Sequence, residues 1–422
     1  MKRVLVISHT SFTKSDSMGS TLASYFTKYD PNCLAQFYIK KMIPDIPVCR
    51  NYFCVTDREI LHKVTHPFSE KIGSVMTLAT EGEKDKSAVA DKLGSHKYRD
   101  LTMLARNALW ATGLWNNRNF KDWIQKFDPE MIMVQPGDFS YLLKMAVKLS
   151  KKLRIPLLVH QSEAYYLKKY EKNTLVYKMY RWDYARQYEK MMNRAKACIY
   201  LCDALKQDYD RFFNIPSYTI MKSTQLKPQK TNRKFGENGI RFVYGGNLGE
   251  TVGRCGPLVE MGKAIKQLGW HIDVYTGSTG EHMKDLTEEN GIHLHEAVLY
   301  EKLQEIIRES DFVLHMESQS EWHCQDLKYA FTTKIADMLA SGVCSIVYGS
   351  TEIASIRYFK EHKVGCVIEH KEDLGKSISH LISSEADRDE YIRSALYTAE
   401  KYHNAEINAQ ALNDIICFCA EM

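Results

Sequence analysis

No apolar run of about 18 residues, the length a spanning helix needs, occurs in the 422-residue chain. A transmembrane helix is therefore not expected. The opening MKRVLVISHT starts a strand at once and lacks the longer apolar region and small-residue cleavage site of a secretory signal. Eleven cysteines are present without any Cys-x-x-Cys pair. Cys198 and Cys202 fall at i, i+4 spacing, and Cys417 and Cys419 sit near the end. Buried or free thiols in a reducing cytoplasm fit this pattern better than a metal or redox site. Neither the Gly-x-Gly-x-x-Gly of a dinucleotide fold nor a P-loop is found, and no nucleic-acid motif is recognised.

What is present is an ordinary globular composition, 44% apolar and 26% charged. The length suggests two domains of about 200 residues each. The formal charge of +5 is unevenly spread: residues 140–200 hold 14 Lys and Arg against 4 acids. The same stretch contains Tyr165, Tyr166, Tyr170, Tyr177, Tyr180, Trp182, Tyr184 and Tyr188. Two readings stand side by side here. One is solvated helix faces over aromatic cores; the other is a basic, aromatic-edged surface that docks on anionic lipid headgroups.

Short continuous apolar runs recur with helical segments between them. RVLVIS (3–8), MIMVQP (131–136), PLLVHQ (156–161) and ACIYLC (197–202) read as buried parallel strands. DFSYLLKMAVKLSKKL (138–153) reads as a helix capped by Asp138. The polar KSTQLKPQKTNRKFGENG (222–239) reads as a linker. A second series follows: IRFVYGG (240–246), HIDVYTG (271–277), IHLHEAV (292–298), DFVLHM (311–316) and CSIVYG (344–349). Residues 292–296 look like an alternating strand face. The end of the chain reads as helical. Alternating β and α elements predict an α/β chain of two doubly wound, Rossmann-like domains facing a cleft. The expected boundaries are 1–222, a linker at 223–239, and 240–400. A C-terminal helix over 401–422 would be placed to cross back to the first domain.

Two constellations carry chemistry. In GGNLGETVGRCGPLVEMGKAIKQLG (245–269), glycine amides and a following helix N-terminus can meet an anion, and Arg254 can add a bidentate contact. The same residues also fit a plain strand-to-helix turn with Arg254 solvated. In YAFTTKIADMLASGVCSIVYG (329–349), Thr332 or Thr333 can cap a helix that ends at Gly342. Lys334 and Asp337 share a face there, and a cation at a helix start invites an anion. The alternative is a surface ion pair. ESQSEWHCQD (317–326) gathers Glu317, Glu321, His323, Cys324 and Asp326, but their spacing fits no standard zinc pattern.

The TTKIADMLASG segment resembles the S-K-x-x-E-Y-L-A-x-G stretch of GT-B glycosyltransferases, in particular the retaining family-4 type. YGGNLG resembles the same enzymes' Y-x-G-N-L-G loop, in the expected order. The resemblance implies a nucleotide diphosphate sugar as donor, no cofactor and no tightly bound metal. Arg254, Lys334 and the loop amides at Gly246 and Gly249 would hold the donor diphosphate and Asp337 its ribose, with Asn247 and Thr333 also among the substrate-binding residues. Tyr329 stands where the family's sugar-binding carboxylate is expected, which is a departure. In the N-terminal half IPLLVHQSE (155–163) resembles a strand ending in a histidine that points into the cleft, implying catalytic parts for His160 and Glu163. SFTKSDSMGSTLASYF (11–26) resembles the glycine loop after the first strand, with Gly19 beside the donor phosphate.

The expectation is a cytoplasmic, peripheral membrane enzyme of cell-surface polysaccharide biosynthesis, transferring sugar to a lipid-linked or growing glycan. A nucleotide-sugar 2-epimerase of the same fold and a non-catalytic nucleotide-sugar-binding subunit are the alternatives.

Overall fold

The computed structural model describes residues 1–68, 72–78, 99–168 and 174–421. The chain divides into two compact units, 1–222 with 405–422, and 223–404. Both are built on sheets of short, buried, β-branched or aromatic runs flanked by helices, as parallel pairing demands.

In the first unit the strands are β1 (Val4–Ser8), β2 (Leu34–Tyr38), β3 (Asn51–Cys54), β4 (Ser74–Met76), β5 (Met131–Val134), β6 (Leu157–Gln161), β7 (Ala197–Tyr200) and β8 (Ser217–Thr219). Their order is β4-β3-β2-β1-β5-β6-β7-β8. All neighbours are parallel except β3 and β4. β2 carries the polar Gln36 in its centre, which hides it from an apolar-run reading. Gln36 is fully buried and satisfied: its Nε2 donates to Ser8 Oγ at 2.9 Å and Thr10 O at 3.0 Å, and its Oε1 accepts from Phe12 N at 3.0 Å.

In the second unit the strands are β9 (Phe242–Gly245), β10 (Ile272–Thr276), β11 (Ile292–Glu296), β12 (Phe312–Met316), β13 (Cys344–Tyr348) and β14 (Cys366–Ile368). They form an all-parallel sheet in the order β11-β10-β9-β12-β13-β14. The chain winds outward in one direction from β9 and in the other from β12. Between these two strands lies the topological switch point, where such sheets bind ligands at their carboxyl ends.

Several expectations are corrected. Asp138 does not cap the Ser140–Leu153 helix; Phe139 holds that position without a side-chain bond. The Asp138 carboxylate instead faces Arg181 at 3.4 Å, where Arg181 is buried and has an opposite charge to offer. The polar stretch 223–239 belongs to the second unit rather than forming a free linker. Arg233 pairs with the buried Asp311 at 3.2 Å, and Gly236 N donates to the same carboxylate at 2.8 Å. The C-terminal helix expected over 401–422 to return to the first domain does belong to the first unit but starts at Ala405, four residues later, after a break at His403 that separates it from Glu385–Tyr402 of the second unit. His403 is fully buried, with its ring on Tyr358 Oη at 3.0 Å and its carbonyl accepting from Thr224 N at 2.9 Å.

Cys198 sits in a strand, so its spacing to Cys202 is not helical; all eleven thiols are free. The tyrosines of 140–200 are mostly core: Tyr177, Tyr180, Tyr184 and Tyr188 are buried, the last two bonded to Gly137 O and Gln161 Oε1. Tyr170 lies outside the described residues. The aromatic edge therefore reduces to Trp182, 62% exposed, on the same face of the Leu175–Met192 helix as the exposed Leu175 and Met179. The Arg186 guanidinium lies over its ring at 5.3 Å.

The Ala405–Glu421 helix contributes Leu412, Ile415, Ile416 and Cys419 to the first unit's core, together with Val4, Val6 and Leu158. Leu412 is fully buried. Leu412→Ala should lower stability by about 2–5 kcal/mol, because the removed methyls leave a cavity the sheet cannot fill. Urea unfolding checks this, and a midpoint equal to the wild type would show that the helix does not hold the core.

Candidate functional site

β9 ends at Gly245, and the chain turns through Gly246–Arg254 into the Cys255–Gln267 helix. A short 3-10 turn, Glu250–Val252, closes on Gly253, whose φ of 62° favours glycine. β12 ends at Met316, so Glu317 emerges at the neighbouring strand end. The two loops flank the switch point and meet through one ion pair.

Arg254 Nη2 donates to Glu317 Oε1 at 2.7 Å and Arg254 Nε to Oε2 at 3.1 Å, a two-pronged pair. Glu317 is fully buried and the Arg254 side chain is 11% exposed. Burial works against the guanidinium's charge, but the carboxylate more than offsets it and holds Arg254 above its ordinary pKa. Burial pushes Glu317 upward and Arg254 pulls it back only in part. His315 lies two residues earlier on the same strand face, with Nε2 3.6 Å from Glu317 Oε1 and 3.2 Å from Ser355 Oγ. Burial, then Arg254 and Lys334, keep it far below its usual pKa and so neutral.

Lys334 reaches the same place from the N-cap of the Ile335–Ala340 helix. Its Nζ donates to Gly245 O at 2.7 Å and lies 5.7 Å from the Tyr244 ring centre. Among the described residues that carbonyl is its one acceptor, although an ammonium carries three donors. Burial first, and Arg254 next, pull its pKa down to about 7. Gly246 makes room for it: a Cβ there would stand 1.8 Å from Lys334 Nζ. A side chain there would displace the lysine ammonium from its place on Gly245 O.

The loop amides are not free for an anion, contrary to the expectation at Gly246 and Gly249. Gly246 N donates to Tyr275 O and Gly249 N to Asn247 Oδ1, both at 2.9 Å. Asn247 is exposed, and its Oδ1 also accepts from Ser278 Oγ at 3.1 Å. Asp337 is buried and accepts from Thr224 Oγ1 at 2.7 Å, with the Tyr300 hydroxyl also bonded to it. Neither Thr332 nor Thr333 caps the helix, since Lys334 holds the cap without a side-chain bond; Thr333 is half-buried just before it. Tyr329 is half-buried and accepts from Lys328 Nζ at 3.1 Å.

The first unit's candidates do not form a site of their own. Gly19 lies inside the Ser17–Ser24 helix rather than in a loop. Its amide is taken by the Asp16 cap at 2.9 Å, and a Cβ there would stand 2.2 Å from Ser11 O, so it serves close packing. His160 is fully buried with both ring nitrogens unpartnered, tilted against Tyr25 at 5.2 Å. Burial drops its pKa to about 4. Its ring is therefore neutral and closed off from solvent. Glu163 is exposed just beyond β6. A cavity of about 600 Å³ in this unit, lined in part by Asp203, Lys206, Thr219 and Asp414, includes none of these candidates.

Sequence reasoning missed His315 and missed Glu317 as the partner of Arg254, having weighed it only within a metal-like cluster. Their signal was a histidine and a glutamate two apart at the carboxyl end of an otherwise apolar strand, where alternation puts both on one face. It also missed the buried, unpartnered Ser11 Oγ, Gln135 Nε2 and Ser162 Oγ, which follow the carboxyl ends of β1, β5 and β6.

Residues 254–414 match the family described as Glycosyl transferase-like. No curated protein sequence matches the chain. Among solved structures, HepE from Anabaena in complex with UDP superposes with a TM-score of 0.65 at 11% identity, covering 99% of this chain and 100% of that one. Sucrose-phosphate synthase from Thermosynechococcus elongatus gives 0.62 at 11% identity, covering 99% and 98%. WaaG, a glycosyltransferase involved in lipopolysaccharide biosynthesis, gives 0.54 at 11% identity, covering 97% and 99%. These likenesses establish the fold, two Rossmann-like units in the GT-B arrangement of elements.

The lysine has a thermodynamic signature. An unfolded chain keeps the Lys334 proton to about pH 10.4, whereas the folded chain releases it near pH 7. Between those values the unfolded state binds more protons, so this group makes stability rise with pH. Lys334→Met should flatten that rise in denaturant melts, and parallel wild-type and variant profiles above neutrality would contradict the assignment.

Proposed function

We propose that this chain, a glycosyltransferase of the GT-B fold, moves a sugar from a nucleoside diphosphate to a hydroxyl acceptor, with Arg254 and Lys334 taking the diphosphate. One observation carries the reading. At the switch point Arg254 is paired with the carboxylate of Glu317, and Lys334 stands in the same largely buried cluster with a backbone carbonyl as its acceptor, so the cluster carries one more potential positive charge than negative. A phosphate oxygen would supply the acceptors that the Lys334 ammonium lacks and would restore its proton. UDP is the first nucleoside diphosphate to try, because HepE is seen with UDP and with UDP and glucose.

In the reaction, the bond between the anomeric carbon and the diphosphate oxygen breaks as the acceptor oxygen bonds to that carbon. The reading adopts retention, in which the acceptor attacks on the face the diphosphate leaves. A leaving phosphate oxygen takes the acceptor's proton, so no side-chain nucleophile is needed. Charge then builds on the nucleotide, where a fixed guanidinium and ammonium stabilise it without reorganising. That electrostatic role is compatible with transfer in the absence of a metal ion.

The acceptor we favour is a lipid-linked or growing glycan of cell-surface polysaccharide, met at an anionic membrane face. Support comes from Leu175, Met179 and Trp182, an exposed apolar row on one helix, with Arg186 on the Trp182 ring and Lys178 and Lys190 nearby in sequence. Such a face can enter the headgroup layer while its cations meet phosphate. Among the described residues no helix is long and apolar enough to cross a membrane.

A thermal-shift panel of nucleoside diphosphates, run in chelator, tests the donor reading. One diphosphate should raise the melting temperature, and the rise should vanish in Arg254→Ala and Lys334→Ala. A well-folded protein that shifts with none of them would remove it. Membrane docking is tested separately by sedimentation with anionic vesicles. Trp182→Ala and Arg186→Glu should each reduce the bound fraction, and added salt should release the wild type. Binding that ignores both substitutions would place the contact elsewhere.

A further inference from the structure

The second unit's edge carries a cluster that the transfer reaction does not use. β11 is the outermost strand of the sheet, paired in register with β10 so that Asp273 stands beside His293 and Tyr275 beside His295. Strand alternation puts His271, Asp273 and Tyr275 on one face of β10 and His293 and His295, the register partners of Asp273 and Tyr275, on the same face of β11. The result is a compact block of three imidazoles and a carboxylate. The His271 and His293 rings stack with centroids 3.8 Å apart. His271 Nε2 lies 3.9 Å from Asp273 Oδ1. One ligand atom from each of His271, Asp273 and His293 lies within 4.8 Å of the others, the one such group among the described residues.

The chemistry of that set is specific. Two imidazole nitrogens and one carboxylate oxygen are borderline donors that suit zinc, cobalt, nickel or copper, whereas magnesium and calcium prefer all-oxygen shells. The fourth side chain completes the arrangement. His295 Nε2 lies 2.8 Å from Asp273 Oδ1, and its ring is backed by Tyr275 at 4.6 Å, which fixes the carboxylate's direction. An outer imidazole holding a ligand carboxylate is a recurring support for a metal. The His271 side chain is 47% exposed and the Asp273 side chain 18%, so an ion can enter from solvent and keep water ligands.

We propose that His271, Asp273 and His293 bind one divalent transition-metal ion on the edge of the second unit's sheet, with His295 as a positioning residue for the Asp273 carboxylate. The ion would join the edge strand β11 to β10, on side chains that precede or open these strands. Arg254 and Lys334 gather at carboxyl ends instead. The site is therefore independent of the proposed donor site, and its failure would leave that reading intact.

The test uses the full, tag-free chain after chelator treatment, with cobalt(II) chloride as the probe. One equivalent per chain should saturate, giving visible ligand-field absorption without a thiolate charge-transfer band. Cobalt and zinc should raise the melting temperature, and magnesium should not. His271→Gln and His293→Gln should each abolish saturation, while His295→Phe should weaken it by about tenfold to a hundredfold. Metal-free melting temperatures equal to the wild type would show that the variants fold. No saturable cobalt binding, a thiolate band, or unchanged binding in the His271→Gln/His293→Gln variant would overturn the proposal.

Discussion

The buried ion pair between Arg254 and Glu317 is the constraint on which the second unit's site depends. Both side chains are almost sealed from water, and each is tolerable only because the other is there. Removing one partner of such a pair typically costs about 3–5 kcal/mol, since the other charge is left buried alone. The pair also sets geometry: it ties the loop after β9 to the end of β12 across the switch point. Lys334 is then buried beside a guanidinium whose carboxylate is already taken, and its low pKa follows from burial first and from Arg254 next. Glu317 neutralises one cation and leaves the second short of a partner.

Gly246 shows how closely the backbone answers to this arrangement. Its value lies less in backbone freedom than in vacant space, because any side chain would occupy the position of the lysine ammonium. The loop's own amides are already bonded to Tyr275 O and Asn247 Oδ1, which makes it a scaffold for cations rather than a nest of free donors. Affinity for an anion would then rest on two side chains, and a substitution at either would be felt directly.

Much of the fold was legible because buried parallel strands are continuous apolar runs. RVLVIS, MIMVQP, DFVLHM and CSIVYG all became strands within a residue or two of their expected ends. Strand β2 escaped because Gln36 interrupts its pattern, and only the fold supplies the Ser8 and Thr10 partners that make a buried amide acceptable. The return of the last helix to the first unit was placed at 401 and falls at Ala405, because the exact break is made by contacts of His403 with Tyr358 and Thr224, distant in sequence. Of the candidate site, Arg254, Lys334 and Gly246 came together as expected. The full burial of His160 was not legible, because a strand motif says which residues point to one face but not how deeply that face is covered. Glu317 was visible as a residue yet not as a partner, since pairing over 63 positions is a property of topology.

The most direct test of the central claim is the proton balance of nucleotide binding. Titration calorimetry with UDP in buffers of different ionisation enthalpy, slightly above neutral pH, reports protons taken up on binding. If the diphosphate meets a Lys334 that is partly neutral in the free protein, binding should draw a proton from the buffer in the wild type and not in Lys334→Arg. Binding without proton uptake, or with the same uptake in the variant, would contradict the account.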